Sequence, residues 1–303
     1  MQLIYEGKDI TGDVDIRQAD LIDNAGGKLD SLDLTLDDSK GYWSQWKPEK
    51  NHTLQVKDSG FNSGVMYVDE IVQQRGEVTL RALPIKQEAK TPNTKAYEKV
   101  QFLEIARIIA SKYNLSLQTY GVTDYMYSRV DQSDQADLEF LALRCLMESC
   151  SLKISGGKLI IYGQPYMENQ APYREITIND IDGDFVYLDK STEIFGACRV
   201  TSNGIEGEFS APDVYGPALK YFDLAVGSIG EANRFATGLL RAKNCTEKTF
   251  SCQLRFDPGI AAGNTVQLSS FGLADGKYFA HQVIHRFIEG KTSLRLRKPL
   301  EGY

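Results

Sequence analysis

The sequence predicts an α+β, mainly β chain: two small β-barrel domains with an inserted α/β unit of two helices plus a hairpin. Three observations carry this. Leu32, Leu34 and Leu36, and later Phe250, Cys252, Leu254 and Phe256, alternate with polar residues at the period of a half-buried strand. Between these stretches the apolar spacing changes to three and four residues. Gly156-Gly157 then separates two β runs, the signature of a tight hairpin.

The first domain is expected over 1–88. After Leu32 to Asp37 come Thr53–Lys57, Val65–Asp69 and Val78–Leu83, separated by turns at Ser59-Gly60 and Arg75-Gly76-Glu77. The middle domain is expected over 89–165. From Tyr97 to Tyr113, residues Phe102, Leu103, Ala106, Ile109, Ala110 and Tyr113 fall on one helix face, and Asn114 offers a left-handed stop. A second helix is expected from Asp134 to Ser149, with Asp134 as N-cap and Asp137 and Glu139 in its first turns. The hairpin Ser151–Ser155 and Lys158–Tyr162 completes the unit.

Gly163–Arg174 reads as a polar, Pro-containing linker, and 166–303 as the second barrel domain with a helix inserted near 228–243. Ser228 and Glu231 form a capping box for that helix, and Ile229, Ala232, Phe235, Ala236, Leu239 and Leu240 form its buried stripe. Asp257-Pro258-Gly259, Asp275-Gly276 and Glu289-Gly290 punctuate the closing strands, the longest running from Lys277 to Phe287.

With 303 residues, the chain is long enough to divide into two or three domains. Its 42% hydrophobic and 25% charged content is that of a globular protein. No run of apolar residues suits a membrane span, so no stable membrane insertion is expected. Met1–Glu6 lacks the basic flank and apolar stretch of a signal peptide and reads as a first strand, which implies synthesis in a cytoplasm. A net charge of −7 without a Lys/Arg cluster argues against specific nucleic-acid binding. Arg295, Arg297 and Lys298 read as the outward side of a strand. The five cysteines form no CxxC pair and read as reduced, buried thiols.

Catalytic and cofactor signals are sought and not found. His281 and His285 are four apart, but in a strand that separation is about 13 Å, too far for one metal. Asp180, Asp182 and Asp184 open like a calcium loop, yet Gly183 breaks the pattern and the closing Glu is misplaced, so they read as a solvated acidic turn. No nucleophile elbow, P-loop or dinucleotide fingerprint is present. Catalytic, cofactor and metal residues are therefore expected to be none. Trp43 and Trp46 form the most aromatic patch. They are the candidate partner contacts, set against the plainer reading of a loop tucked onto the first barrel.

The order of these segments resembles the hub proteins of contractile phage tails, the late control gene D family, and the N-terminal hub part of VgrG proteins. Three stretches carry the resemblance. The first comprises Leu32–Asp37, Trp46-Lys47-Pro48, Thr53–Lys57 and Val65–Glu70. The second comprises Arg129-Val130-Asp131-Gln132, Asp137-Leu138-Glu139-Phe140-Leu141 and Gly157-Lys158-Leu159. The third comprises Pro258-Gly259, Gly263, Val266, Gly276-Lys277-Tyr278, Val283, His285, Phe287 and Thr292.

The resemblance implies a structural baseplate hub, not an enzyme. In such a homotrimer two barrels per chain, taken three times, match a hexameric tail tube to a trimeric spike. Because no needle or repetitive β-prism follows before Tyr303, a separate spike protein is expected, with tail tube or tube-initiator proteins and baseplate wedge proteins as further partners. Phage or phage-tail-like bacteriocin particles are the expected location. The alternatives are a tail-associated peptidoglycan hydrolase and a receptor- or glycan-binding tail-tip module.

Overall fold

A computed structural model describes residues 1–222 and 224–303. The N-terminal segment runs β1 (Gln2–Tyr5), β2 (Lys8–Asp9), β3 (Ile16–Asn24), β4 (Ser31–Asp37), α1 (Tyr42–Trp46), β5 (Thr53–Asp58), β6 (Phe61–Asn62), β7 (Met66–Gln74) and β8 (Glu77–Leu83). The middle segment runs β9 (Pro92–Gln101), α2 (Phe102–Lys112), β10 (Ser116–Tyr120), β11 (Met126–Ala136), α3 (Asp137–Met147), β12 (Cys150–Ser155), β13 (Lys158–Gly163) and α4 (Gln164–Glu168). Then follow β14 (Glu175–Thr177), β15 (Val186–Asp189), β16 (Ala197–Ser202), β17 (Ile205–Ser210), β18 (Ala218–Phe222), α5 (Ile229–Asn244), β19 (Lys248–Arg255), β20 (Thr265–Ser269), β21 (Gly276–Arg286) and β22 (Lys291–Arg297).

Most strands belong to one 14-stranded sheet that curls around two cores. Leu32, Leu34 and Leu36 of β4 are completely buried in the first core, and their alternation with Asp33 and Thr35 sets the sheet register. Phe250, Cys252 and Leu254 of β19 occupy the second core. The chain is mainly β, as expected. Closed barrels are a different matter. Among the described residues, the pairings follow a path from β15 to β2, and the Asp20–Asn24 end of β3 pairs with β21 of the other half. The two halves are joined through β3 and β21.

The halves share one connectivity. Leaving aside the two-residue strands β2 and β6, each has six strands. Their spatial order is second, third, sixth, fifth, fourth, first: β3-β4-β8-β7-β5-β1 in one half and β15-β19-β22-β21-β20-β14 in the other. Neighbours are antiparallel throughout except the last pair, where β1 and β5 are antiparallel and β14 and β20 parallel. The agreement reaches single residues. Hairpin β7–β8 has two pairs, a bulge at Asp69, then five pairs from Glu70↔Arg81 to Gln74↔Glu77. Hairpin β21–β22 has two pairs, a bulge at His281, then five pairs from Gln282↔Arg295 to Arg286↔Lys291. A bulge bends and twists its strand, so both hairpins bend at the same place.

The middle core is larger than the sequence suggests. Phe102, Ile105, Ala106, Ile109 and Ala110 of α2 and Phe140, Leu141 and Cys145 of α3 pack with the hairpin β12–β13, to which β10 adds as a parallel strand. The hairpin turns on Gly156 and Gly157, both at positive φ, as its sequence requires. Two boundaries differ from expectation. Residues 97–101 are strand: β9 pairs along β11, and the helical stripe holds only from Phe102 onward. Asp134 caps no helix. It sits at φ 46° beside a bulge of β11, and α3 begins at Asp137.

The linker expected over 163–174 contains α4, with Pro165 in its first turn, where the missing N–H costs nothing. The helix near 228–243 is α5. It packs against α3 and the small sheet β17-β16-β18, which the sequence reading did not foresee. Its Ser228 hydroxyl accepts from the Glu231 amide at 3.2 Å, but the Glu231 carboxylate accepts from Gly227 and not Ser228, so only half of the capping box forms. Ile229, at the helix's first turn, is 62% exposed and leaves the buried stripe to Ala232, Phe235, Ala236, Leu239 and Leu240.

Candidate functional site

The joint between the sheet halves is where segments from all parts of the chain converge. β3 and β21 meet antiparallel over five residue pairs, from Asp20↔Arg286 to Asn24↔Gln282. Ile22 faces Ile284, which gives the seam an apolar centre, and the Gln282 side-chain amide donates to Asn24 Oδ1 at 2.8 Å at its end. Backbone bonds from Phe287 to Ala19 at 2.9 Å and from Ala25 to His281 at 3.0 Å extend it.

Beneath the seam lies a buried charge node. Lys153, from β12 of the middle segment, pairs with Asp23 of β3 and with Asp30 at 3.0 Å. Asp23 also accepts from the Ala262 amide of the C-terminal half at 2.8 Å, so one carboxylate touches three regions of the chain. Asp30 accepts from the Asn24 amide at 2.8 Å. Burial pushes the Asp30 carboxyl up to about 6, against the pull of the Lys153 ammonium. The Tyr162 hydroxyl donates to the Ala25 carbonyl and closes the node from the β13 side.

A second node lies under α4. Glu168 is 2% exposed and holds two buried guanidinium groups, Arg241 of α5 and Arg297 of β22, the latter at 2.6 Å. Arg241 donates to Gln164 Oε1 at 3.1 Å, and the Leu300 amide donates to Glu168 Oε2 at 3.2 Å. Arg297 was expected on an outward face; it is 4% exposed. Its strand neighbour Arg295 does face outward, and the difference is the buried carboxylate, which a buried cation requires. Glu168 and Arg241 did not stand out in the sequence, since a lone Glu in an apparent linker carries no motif.

In the middle segment, Glu148 receives the Tyr127 hydroxyl at 2.9 Å and the Arg234 guanidinium at 2.9 Å, while Arg234 lies 3.8 Å from the Tyr125 ring centroid. Asp137 of α3 is another sink. Burial raises its pKa, but donors from Lys112, Gln132, Asn93 and Tyr113 outweigh that and hold it at about 2.

The side chains singled out in the sequence are dispersed. Trp43 is buried in the first core at 1% exposure, edge-on to Tyr5, whereas Trp46 is 39% exposed and stacks on Tyr42. His285 is buried among Phe61, Phe256 and Phe287, with Nδ1 3.3 Å from Thr292 Oγ1, and burial pushes its pKa down. Asp180 accepts from Thr177 and Arg174, and Asp182 faces Lys291 at 3.4 Å. Both line an open groove of about 680 Å³ with Arg174, Arg255 and Asp257. Asp180 and Asp257 both pair with Arg174 there, and Asp182 with Lys291. Burial raises the thiols of Cys145, Cys150, Cys198 and Cys252, those of Cys150 and Cys252 to about 12, which keeps them protonated and unreactive. Among the described residues, no group of three or more His, Cys, Asp and Glu side chains converges as a metal site, and no helix is long and apolar enough to cross a membrane.

Buried ion pairs tie the middle segment to both sheet halves, and the 14-stranded sheet runs through the two halves. Solved structures with a similar fold include phage tail proteins and a type VI secretion system component. A prophage MuSo2 43 kDa tail protein from Shewanella oneidensis superposes with a TM-score of 0.74 at 11% identity, covering 98% of both chains. A tail protein from Neisseria meningitidis MC58 gives 0.76 at 11% identity, over 98% of this chain and 95% of that one. A type VI secretion system component from E. coli, itself similar to the bacteriophage T4 tail proteins gp27 and gp5, gives 0.59 at 10% identity over 96% and 75%. No protein-family model and no curated protein matches the sequence. At such identities the likeness establishes the fold, one shared by these two tail proteins and the type VI secretion system component.

Proposed function

We propose that this chain is a structural baseplate hub of a contractile phage or phage-tail-like bacteriocin, a homotrimer that joins a hexameric tail tube to a trimeric spike. One observation carries the reading: the two sheet halves repeat the same strand order and the same bulged hairpin. A chain with two like-shaped halves, arranged three times about an axis, offers six similar modules to one neighbour and three identical chains to another. The shared fold with phage tail proteins supports the same reading.

The proposed division is 1–88 and 166–303 as the two ring modules and 89–165 as the middle domain, with α5 and its small sheet packed on that middle domain. The role is non-catalytic and needs no cofactor. Partners are the separate spike, tube or tube-initiator proteins and baseplate wedge proteins, met in a particle assembled in the bacterial cytoplasm. Trp46, with Tyr42 beside it, is the candidate partner contact; Trp43 serves it from below as a core anchor. Three chains carry about −21 (three times −7), a charge that would keep DNA or a tape-measure protein from sticking if it faces the lumen.

Native mass measurement on the full chain, alone and mixed with the tail proteins encoded beside it, tests the reading. The expected species is a trimer, free or only with the spike. A chain that stays monomeric with every such partner would falsify the hub assignment.

A further inference from the structure

Each sheet half has two places where the other half could dock: the outer edge of its second strand and the far end of its fifth. Within the chain, the second strand of the N-terminal half, β3, is joined to the fifth strand of the C-terminal half, β21. That join uses only the end of β21 beyond its bulge, Gln282–Arg286; the near end, Gly276–Phe279, pairs with β20.

The complementary two places are vacant. β15, the second strand of the C-terminal half, pairs with β19 on one side only and ends the sheet. β7, the fifth strand of the N-terminal half, pairs with β5 only at Met66 and Tyr67, before its bulge. Among the described residues, Glu70–Gln74 and Val186–Asp189 make no backbone bonds except to β8 and β19. An unpaired edge of this kind is a template for another chain.

We propose that β15 of one copy pairs antiparallel with the Glu70–Gln74 end of β7 in the next copy, repeating between chains the joint that β3 and β21 make within one. The inference rests on the trimeric hub reading and names its interface. The register follows from the matched ladders. β4 and β19 align through their equivalent pairings with β8 and β22, which places Val186, Tyr187, Leu188 and Asp189 where β3 has Asp20, Leu21, Ile22 and Asp23. The bulges align Glu70, Ile71, Val72, Gln73 and Gln74 with Gln282, Val283, Ile284, His285 and Arg286. Transferring the inner pairs sets Val72 opposite Leu188, Gln74 opposite Val186 and Glu70 opposite Lys190.

The side chains suit that register. Val72 and Leu188 are 37% and 46% exposed on a single chain, and they take the places of Ile284 and Ile22, the apolar centre of the inner seam. Val186 is 61% exposed on the same strand. Glu70 and Lys190 replace the Gln282–Asn24 hydrogen bond with opposite charges, the favourable case for directly facing residues. The contact is head-to-tail, so each chain both gives and receives it. Such a contact closes a ring when its rotation allows.

Disulfide trapping tests the register. Facing Cα atoms in antiparallel strands are roughly 4.5–5.5 Å apart, within disulfide reach. In the full chain, under the conditions in which it trimerises, Val72→Cys with Leu188→Cys should oxidise to covalent dimers and trimers that reductant collapses. Each single variant should stay monomeric on the same gel. Ile22→Cys with Ile284→Cys, at the inner joint, is the control and should close within one chain. Independently, Glu70→Lys should lose the trimer, and adding Lys190→Glu should restore it. A trimer that persists while the control pair oxidises and the Val72–Leu188 pair does not would overturn this interface and leave the hub reading standing. Absence of any trimer would overturn both.

Discussion

Arg297 donates from Nη2 to Oε1 of Glu168 across 2.6 Å, 129 residues apart in sequence, and both side chains are sealed from solvent. Arg241 binds the other oxygen of the same carboxylate. One Glu thus compensates two buried cations from α5 and β22. Replacing it leaves both unpaired, so Glu168→Ala should cost about 3–5 kcal/mol, the range for breaking a buried pair from one side. Arg297→Met should cost less, because Arg241 still satisfies the carboxylate. Urea midpoints of the two variants check the order; equal midpoints would show that the node contributes no such asymmetry.

Asp30 sets a pH dependence. Its folded pKa of about 6 lies above the ordinary 3.8, with burial as the cause. The folded state therefore binds its proton more tightly than the unfolded chain does, and ionised Asp30 costs stability above pH 6. That cost is relieved as pH falls from about 6 toward 4 and amounts to roughly 2–3 kcal/mol for a shift of about two units. Denaturation at pH 7 and pH 5 should show this contribution, and Asp30→Asn should flatten the difference. A slope unchanged in the variant would assign it to other groups.

Asp137 acts in the opposite sense. Held at about 2 by its donors despite burial, it contributes stability that is complete above pH 3.8 and lost as pH falls from there through 2. Asp137→Asn should remove part of the acid sensitivity between pH 4 and pH 2, read as a smaller drop in melting temperature over that interval.

The sequence shows what is local and hides what is mutual. Leu32, Leu34 and Leu36 announce β4 because alternation alone decides which face is buried, and Gly156-Gly157 announces a turn because few other residues tolerate two positive φ angles in succession. The Tyr97–Gln101 error has the same root. A helical stripe and a strand can share residues, and only the distant partner β11 decides between them. The strands of residues 197–222 were missed because their core neighbours, α3 and α5, are brought together only by the fold. The joint was hidden most completely. Asp23, Lys153 and Ala262 meet from three regions, and no spacing rule links them. The family resemblance reached the right architecture through segment order, while the repeat behind it became visible only in the strand pairings.

The two tryptophans should separate in experiment. Trp43 is fully enclosed, so Trp43→Ala opens a cavity in the first core and should cost about 3–5 kcal/mol. Trp46→Ala removes a half-exposed ring stacked on Tyr42 and should change stability by less than about 1 kcal/mol. If Trp46 contacts a baseplate partner, that variant should fold normally yet lose co-purification with its neighbours. Normal co-purification would remove the site from the list of contacts.

Gly238 in α5 decides how closely the inserted helix approaches α3. A Cβ built there would fall 2.4 Å from the carbonyl oxygens of both Leu146 and Met147, backbone atoms that cannot swing aside. Helix propensity favours alanine over glycine by about 1 kcal/mol, and overpacking a tight contact costs about 1–3 kcal/mol. The contact should win, because relief requires α5 to move away from α3 as a body and to carry Arg241 away from Glu168 with it. Gly238→Ala should therefore lower the melting temperature. Gly230→Ala, where the nearest atom is the Ser228 hydroxyl at 4.0 Å, should leave it unchanged or slightly raised. A stabilised Gly238→Ala would mean that α5 is not pinned by the middle core and that its insertion is free to move against the sheet.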